Sequence, residues 1–242
     1  MIWAILSDVH GNLEALQSVA EDFRSEGAQQ IAFLGDAVGY GANPNECLSF
    51  LKELTDLRVA GNHDYGAVGL TDVTYFNPAA RAAIEWTREK LSEENRRVLK
   101  DLTLVRRTGN ITLVHSTLDD PAEWNYILTI YDAEESFLRL RNRLAFIGHS
   151  HRPIILARER NGRMRSVGEA ETILEGEIQY IINVGSVGQP RDHNPRAAYA
   201  LYDDVLRKYL LKRVPYDIQT AQEKILRAGL PPSLAQRLAF GQ

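Results

Sequence analysis

Five short stretches of this chain put carboxylate, imidazole or amide side chains just where apolar runs stop. Asp8 and His10 follow Ile2–Leu6, and Asp36 follows Ile31–Leu34. Asn62, His63 and Asp64 follow Leu57–Ala60, His115 follows Ile111–Val114, and His149 and His151 follow Leu144–Ile147. Oxygen and nitrogen donors recurring at strand ends are what a two-metal hydrolytic centre requires. A lone histidine is more often structural than chemical. That bland reading weakens with each further residue in the same context, because α/β sheets carry their sites at the carboxyl ends of strands.

Each piece has its own chemistry. Asp8 and His10 are two apart, so in extended backbone they point the same way and present one oxygen and one nitrogen to a single ion. His149-Ser150-His151 repeats the spacing, although two imidazoles need not share an ion if the turn splays them. Asp36 follows Gly35 at the end of a buried run, where an ionised carboxylate needs a strong partner; bridging two divalent ions would supply it. Asn62 offers a neutral amide oxygen. The mixed nitrogen and oxygen set suits Mn, Fe, Zn, Co or Ni better than Mg or Ca, and such ions lower the pKa of bound water. His193, in Arg191-Asp192-His193-Asn194, is read as a non-ligand. Asn183-Val184-Gly185-Ser186-Val187-Gly188 reads as a further strand-end turn. It lacks the lysine and spacing of a nucleotide-binding glycine loop.

The elements that must position these residues alternate. Ile2–Leu6 reads as a buried strand, then a helix capped by Asn12 with Leu16, Val19, Ala20 and Phe23 on one face and Gly27 at its end. Ile31–Leu34 is a strand, 45–54 a helix, and Leu57–Ala60 a third strand, an order that argues for an α/β layered domain. Residues 66–108 break the rhythm as a helical insertion, with helices over 78–91 and from Ser92 through Leu99. It is read as an outer-layer cover, with a lid over the site as the alternative. A second break, 117–142, carries Trp124, Tyr126 and Tyr131 and a helix from Asp132 or Ala133 to Leu140. Strands follow over 144–148, 154–159, 164–167, 178–184, 197–202 and 209–214, with Asn161-Gly162 as a hairpin turn. A helical tail at 218–240, broken at Gly229-Leu230-Pro231-Pro232, docks on the core. The expectation is one domain over 1–242.

Composition sets the bounds. The chain has 242 residues, 44% of them hydrophobic and 25% charged, ordinary values for a globular domain with a substantial core. The 28 Lys and Arg against 32 Asp and Glu give a net charge of -4, with no basic stripe, so nucleic acid is not an expected partner. Cys47 is the only cysteine and reads as a small buried hydrophobe. The start, Met1 to Leu6, lacks the basic and longer apolar regions of a signal peptide. No apolar run reaches the ~20 residues of a membrane helix. A cytoplasmic setting and no membrane partner are the expectation.

Asp8-Val9-His10, Gly35-Asp36, Gly61-Asn62-His63-Asp64, His115 and Gly148-His149-Ser150-His151, in that order, resemble the motif set of the calcineurin-like metallophosphoesterase superfamily. The likeness is to its small bacterial phosphodiesterase-like members. The resemblance implies a four-layer α-β-β-α sandwich of two mixed sheets flanked by helices. It implies one ion held by Asp8, His10, Asp36 and His151 and a second held by Asp36, Asn62, His115 and His149, with Asp36 bridging. His63 would stay off the metals and stabilise or protonate the leaving oxygen, with Asp64 orienting its ring. The reaction implied is in-line attack of a metal-bound hydroxide on a small-molecule phosphate ester, as a phosphodiesterase or nucleotide phosphatase. Mn²⁺ is the first choice of ion, with Fe, Zn, Co or Ni as others.

One departure matters. Phosphoprotein phosphatases and dinucleoside-tetraphosphate hydrolases of that superfamily carry an Asp-Arg pair where this chain has Gly39-Tyr40. An arginine that would grip substrate phosphate is missing there. Arg191 is read as a surface residue, with a compensating charge as the alternative. Tyr40, Tyr65, Tyr75, Trp124 and Tyr126 are candidate pocket walls. The rival functions are a non-catalytic scaffold of the same fold, and a dinucleoside polyphosphate hydrolase or protein phosphatase.

Overall fold

Alternation along the first strand sets the layering. In the computed structural model, which describes residues 1–242, β1 (Ile2–Leu6) turns Trp3 and Ile5 into one buried cluster and Ala4 and Leu6 into another. The second cluster is completed by α1 (Leu13–Ser25), whose Leu16, Val19, Ala20 and Phe23 recur at helical spacing on one face. Each large side chain buried there contributes about 1.5–3 kcal/mol. Asn12 caps the helix, its side chain accepting from Ala15 N at 3.1 Å, and Gly27 ends it at φ +73°.

The chain continues through β2 (Gln30–Phe33), α2 (Pro44–Leu54), α3 (Asn62–Val68), α4 (Pro78–Lys90), α5 (Glu93–Lys100), β3 (Val105–Thr108) and β4 (Ile111–Val114). Then come α6 (Glu134–Arg139), β5 (Leu144–Ile147), β6 (Ile154–Arg158), β7 (Met164–Gly168), β8 (Glu171–Ile173) and β9 (Gln179–Asn183). The last elements are β10 (Ala197–Asp203), β11 (Lys208–Val214), α7 (Ile218–Arg227), α8 (Pro232–Gln236) and a 3-10 turn at Arg237–Phe240.

These strands form two mixed sheets, ordered β2-β1-β10-β11-β8 and β3-β4-β5-β9-β6-β7. Ile5, Leu34, Leu113, Phe146, Ile182 and Tyr209 fill the space between them. The outer face of the first sheet is covered by α1 and α2, and that of the second by Phe137 and Leu140 from the α6 region. The result is the four-layer α-β-β-α sandwich. Strands β1 and β2 run parallel, as do β4, β5 and β9, so their carboxyl ends collect at one edge. No helix is long and apolar enough to cross a membrane.

Three expectations change. Leu57–Ala60 is not a strand: Arg58 and Val59 each make a single parallel bridge, to Phe33 and to Thr103. One pairing on each side is not a ladder, and Gly61 turns the chain into α3. Residues 66–108 are not helical throughout, because Val105–Thr108 pairs antiparallel with β4 as an edge strand. The exposed Arg106 and Arg107 hid it, although charges of that kind are how edges avoid mispairing. The short edge strand β8 lies outside the expected strands.

Candidate metal centre

All seven expected ligand residues arrive at the shared edge of the two sheets, and all are buried. Asp8 and His10 follow β1, Asp36 follows β2, Asn62 opens α3, His115 follows β4, and His149 and His151 follow β5. Donor atoms of Asp8, His10 and His151 lie within 4.8 Å of one another, as do those of Asp36, His115 and His149. A third such group, His10, Asp36 and His63, overlaps both. Asp36 Oδ2 stands 3.6 Å from His10 Nε2 and 3.3 Å from His115 Nε2, between the two sets. Asp8 Oδ1 is 3.2 Å from His151 Nε2 and 3.7 Å from His10 Nε2.

Backbone carbonyls set the rings. Nδ1 of His10, His115 and His151 donates to Val38 O at 3.0 Å, Leu34 O at 2.8 Å and Gln189 O at 2.5 Å. The Nε2 atoms of His10 and His151 are then left as lone pairs directed inward, and Nε2 of His115 faces Asp36 Oδ2, where an ion or a proton can bind. His149 is reversed: its Nε2 donates to Trp124 O at 2.7 Å, which frees Nδ1. Outer partners of this kind fix the tautomer of a ligating histidine. The Nε2 atoms of His10 and His151 face each other at 3.1 Å. Two lone pairs do not attract, so this arrangement calls for a cation between or beside them. Asp8 Oδ1 and Asn62 Oδ1 are likewise buried without a hydrogen-bond partner. Unpartnered buried acceptors are costly, and divalent ions would satisfy them. The donor set therefore fits a dinuclear metal centre.

Electrostatics agree. Burial opposes ionisation of Asp8 and Asp36, yet the neighbouring histidines hold both carboxyls well below the usual range. Burial also opposes a charge on His115, but Asp36 and Asp8 outweigh it and lift the ring to about 9. Burial and the charge of His115 push His149 down to about 3, and burial and the charge of Arg191 push His151 down to about 4. The cluster thus favours two ionised carboxylates and draws positive charge toward His115. It is a cavity that favours positive charge.

His63 and Asp64 need separate treatment. His63 is buried, its backbone N–H donates to Asp36 Oδ1 at 2.8 Å, and its Nδ1 has no partner. A Cβ on Gly39 would overlap that Nδ1, so the glycine makes room for the ring. Asp64 does not orient His63, which corrects the role the resemblance implied. Its Oδ1 accepts from Ala37 N at 2.8 Å and Val38 N at 3.3 Å, and its Oδ2 from Asp36 N at 2.8 Å and Gly61 N at 3.1 Å. At the third position of α3 it closes the helix start onto Gly61 and clamps the turn that carries Asp36. Burial and the charge of Asp36 push its carboxyl up to about 7, against the pull of those backbone donors.

A cavity of about 560 Å³ opens on His63, Asn62 and His149, with Tyr40, Phe76, Trp124 and Tyr126 among its walls. Tyr126 stacks on His149 at 4.0 Å, and Trp124 meets His115 edge-on at 6.0 Å. Tyr75 stands at the cavity rim, largely exposed. Tyr65 is no wall: its hydroxyl donates to Leu102 O at 2.7 Å. Phe76, Asn77 and Ala80 bring the start of α4 into the cavity lining, so the 66–108 segment supplies part of the site. A larger cavity of about 740 Å³, around Trp3, Arg143 and Arg207, includes none of the ligand residues. Asn183 and Ser186 brace the loops that carry the candidate ligands, donating to Gly148 O and Asp8 O. His193 is exposed, away from the donor groups. Arg191 is half-buried against Tyr40 rather than free on the surface.

The chain belongs to the calcineurin-like phosphoesterase superfamily, whose domain profile matches residues 1–204. It is 39% identical over 243 residues to an uncharacterized protein of Methanocaldococcus jannaschii, covering 99% of this chain and 98% of that one. It is 32% identical over 153 residues to a symmetrical bis(5'-nucleosyl)-tetraphosphatase of Coxiella burnetii, covering 59% of this chain and 51% of that protein. The chain therefore matches about half the length of that enzyme. Among solved structures it resembles a metallophosphoesterase from Sphaerobacter thermophilus, with a TM-score of 0.87, 36% identity and full coverage of both chains. A hypothetical protein from Pyrococcus horikoshii, 20% identical, shares the fold with a TM-score of 0.79.

Proposed function

We propose that this protein hydrolyses phosphate esters, with Asp8, His10, Asp36 and His151 holding one divalent ion and Asp36, Asn62, His115 and His149 the other. The observation that carries this reading is Asp36 Oδ2, one carboxylate oxygen within 3.6 Å of ring nitrogens from both sets. Bound ions at such a site supply a water of lowered pKa and neutralise charge on the phosphoryl oxygens. The mixed nitrogen and oxygen donors favour Mn²⁺, with Fe, Zn, Co or Ni as alternatives.

The chain's own residues do the rest. The carbonyls of Leu34, Val38, Gln189 and Trp124 hold four imidazoles in one tautomer each, so no ring must reorganise during turnover. His63 lines the cavity beside Asn62, where a leaving oxygen would depart. Burial keeps its ring neutral, against the pull of Asp36, and a neutral imidazole still donates one N–H to that oxygen. The arriving phosphoryl anion would raise its proton affinity, which suits a proton donor. The aromatic walls favour a leaving group with a flat apolar face.

A second reading, hydrolysis of a dinucleoside polyphosphate, has support in the likeness to the Coxiella enzyme. Against it, the cavity carries Asp72 and Glu123 and no Lys or Arg, a poor lining for a chain of phosphates. The deciding experiment reconstitutes purified protein with Mn²⁺ and compares bis-p-nitrophenyl phosphate, p-nitrophenyl phosphate and a dinucleoside tetraphosphate. The expected result is turnover of a mono- or diester that a chelator abolishes. A protein carrying two ions per chain but inert on every ester would instead be a metal-binding scaffold.

A further inference from the structure

The arginine missing after Gly35-Asp36 is supplied from elsewhere in the chain: we infer that Arg191, backed by Arg237, is the cationic anchor for the substrate's phosphoryl group. The inference rests on the phosphoester reading and adds a specificity residue to it.

Arg191 Nη2 donates to Tyr40 Oη at 3.3 Å and to Gln189 Oε1 at 3.0 Å. Its guanidinium carbon lies 5.7 Å from the Tyr40 ring centroid. That ring is itself packed against His10 at 4.6 Å and His63 at 4.5 Å, so Arg191 stands one aromatic ring from the ligand cluster. Arg237 Nη1 reaches the same Gln189 Oε1 at 3.3 Å. Two guanidinium groups therefore converge on one uncharged oxygen. The carboxylate next in sequence, Asp192, is taken by Arg213, and neither converging arginine forms an ion pair of its own.

Such a pair is unbalanced. Like charges sharing a neutral acceptor repel, and an anion placed against them relieves the repulsion while accepting charge-assisted hydrogen bonds. Burial and the charge of Arg191 already lower the pKa of Arg237, a sign of that strain. Gln189 ties the pair to the metal centre, since its carbonyl holds His151 Nδ1 while its side chain holds both arginines. The cavity of about 320 Å³ beside Ser150 has Arg152 and Arg191 on its wall together with Glu169 and Asp192, whereas the cavity of about 560 Å³ past His63 carries only carboxylates as charges. Arg191 thus places a cation against Tyr40, a wall of the cavity past His63 that has no cation of its own. A phosphate ester would sit there with its phosphoryl oxygens toward Arg191 and its organic group among the remaining aromatics.

The test is calorimetric titration of inorganic phosphate into Mn²⁺-loaded protein, alongside kcat/KM for a p-nitrophenyl ester. Arg191→Ala is expected to weaken phosphate binding and kcat/KM about 10–100-fold, the worth of one or two charge-assisted hydrogen bonds. Metal content and urea midpoint should stay as in the wild type. Arg191→Lys should recover part of the loss, because it keeps the charge without the fork. Arg237→Ala should weaken binding by a smaller factor, and Arg143→Ala, which removes an exposed charge from the far end of the sheets, should leave it unchanged. Wild-type phosphate affinity in Arg191→Ala, or an equal loss in Arg143→Ala, would overturn the anchor. Arg191-dependent phosphate binding in a protein that turns over no ester would sink the hydrolase reading and leave the anchor standing.

Discussion

Asp64→Asn separates a scaffold role from a chemical one. The carboxylate accepts four backbone N–H groups, two on each oxygen: Ala37 and Val38 on Oδ1, Asp36 and Gly61 on Oδ2. An asparagine has one oxygen. Whichever way the amide turns, two buried N–H groups face an NH₂ and lose their acceptor. Each orphaned donor costs about 1–3 kcal/mol, giving about 2–6 kcal/mol for the pair. The amide also escapes the burial and the Asp36 charge that push the carboxyl up to about 7, so the lower part of that range, about 2–4 kcal/mol, is expected. With a urea slope of roughly 2–3 kcal/mol per M, the unfolding midpoint should fall by about 1 M. Circular dichroism in urea reads this directly, on metal-free and Mn²⁺-loaded protein alike. Turnover per bound metal should change far less than stability. A variant that unfolds at the wild-type midpoint while losing turnover about 10²-fold would refute this reasoning and restore Asp64 to the control of His63.

Three further substitutions test the site. His63→Ala should keep both metals by elemental analysis and lose about 10²-fold in kcat; undiminished turnover would remove the ring from the chemistry. Asp36→Asn should lose one or both ions, and two fully occupied sites in a crystal of that variant would refute the bridge. Gly39→Ala should push the His63 ring off its position, since a Cβ there meets Nδ1 and the residue sits at φ +89°. Metal content should survive and turnover fall, and unchanged kcat would mean that the ring's placement is not needed.

The proposed ligands were legible because each follows an apolar run, and runs that become parallel strands deliver their ends to one edge. What supports them was not. The acceptors that turn the imidazoles are main-chain carbonyls of Leu34, Val38, Trp124 and Gln189, groups every residue carries. Asp64 next to His63 suggested a polar pair, but its partners lie 26 to 28 residues away in the Asp36 turn. The spacing Gly61 to Asp64, a helix cap and its third residue, was the readable sign of that role. Leu57–Ala60 has strand composition, but its pairing is split between two neighbours. Arg191 and Arg237 meet only because the carboxyl-terminal segment folds back under Tyr40 and Gln189, a contact 46 residues apart with no periodicity to announce it.

Five of the proposed ligand residues, Asp8, His10, Asp36, His149 and His151, hold left-handed backbone with φ between 50° and 67°. For residues with a side chain this costs about 1–2 kcal/mol each. It is where a chain leaving a strand must turn at once to send its side chain back over the strand end. The loops hold one another in it: Asp8 N donates to Gly35 O at 3.0 Å, His10 N to Asp36 O at 2.9 Å, Gly188 N to Asp8 O at 2.9 Å, and His149 N to Asp8 Oδ2 at 3.1 Å. Strained backbone, unpartnered acceptors and facing lone pairs concentrated at one edge make the metal-free site a weak part of the fold, and anything that binds only the folded site offsets that. One ion at a hundred times its Kd adds about 2.7 kcal/mol, and each kcal/mol moves Tm by about 2–4 °C at this size. Chelation should therefore lower Tm by at least about 5–10 °C, and restoring Mn²⁺ should recover it. A Tm indifferent to chelation, with metal loss verified, would mean that this strain is balanced entirely within the chain.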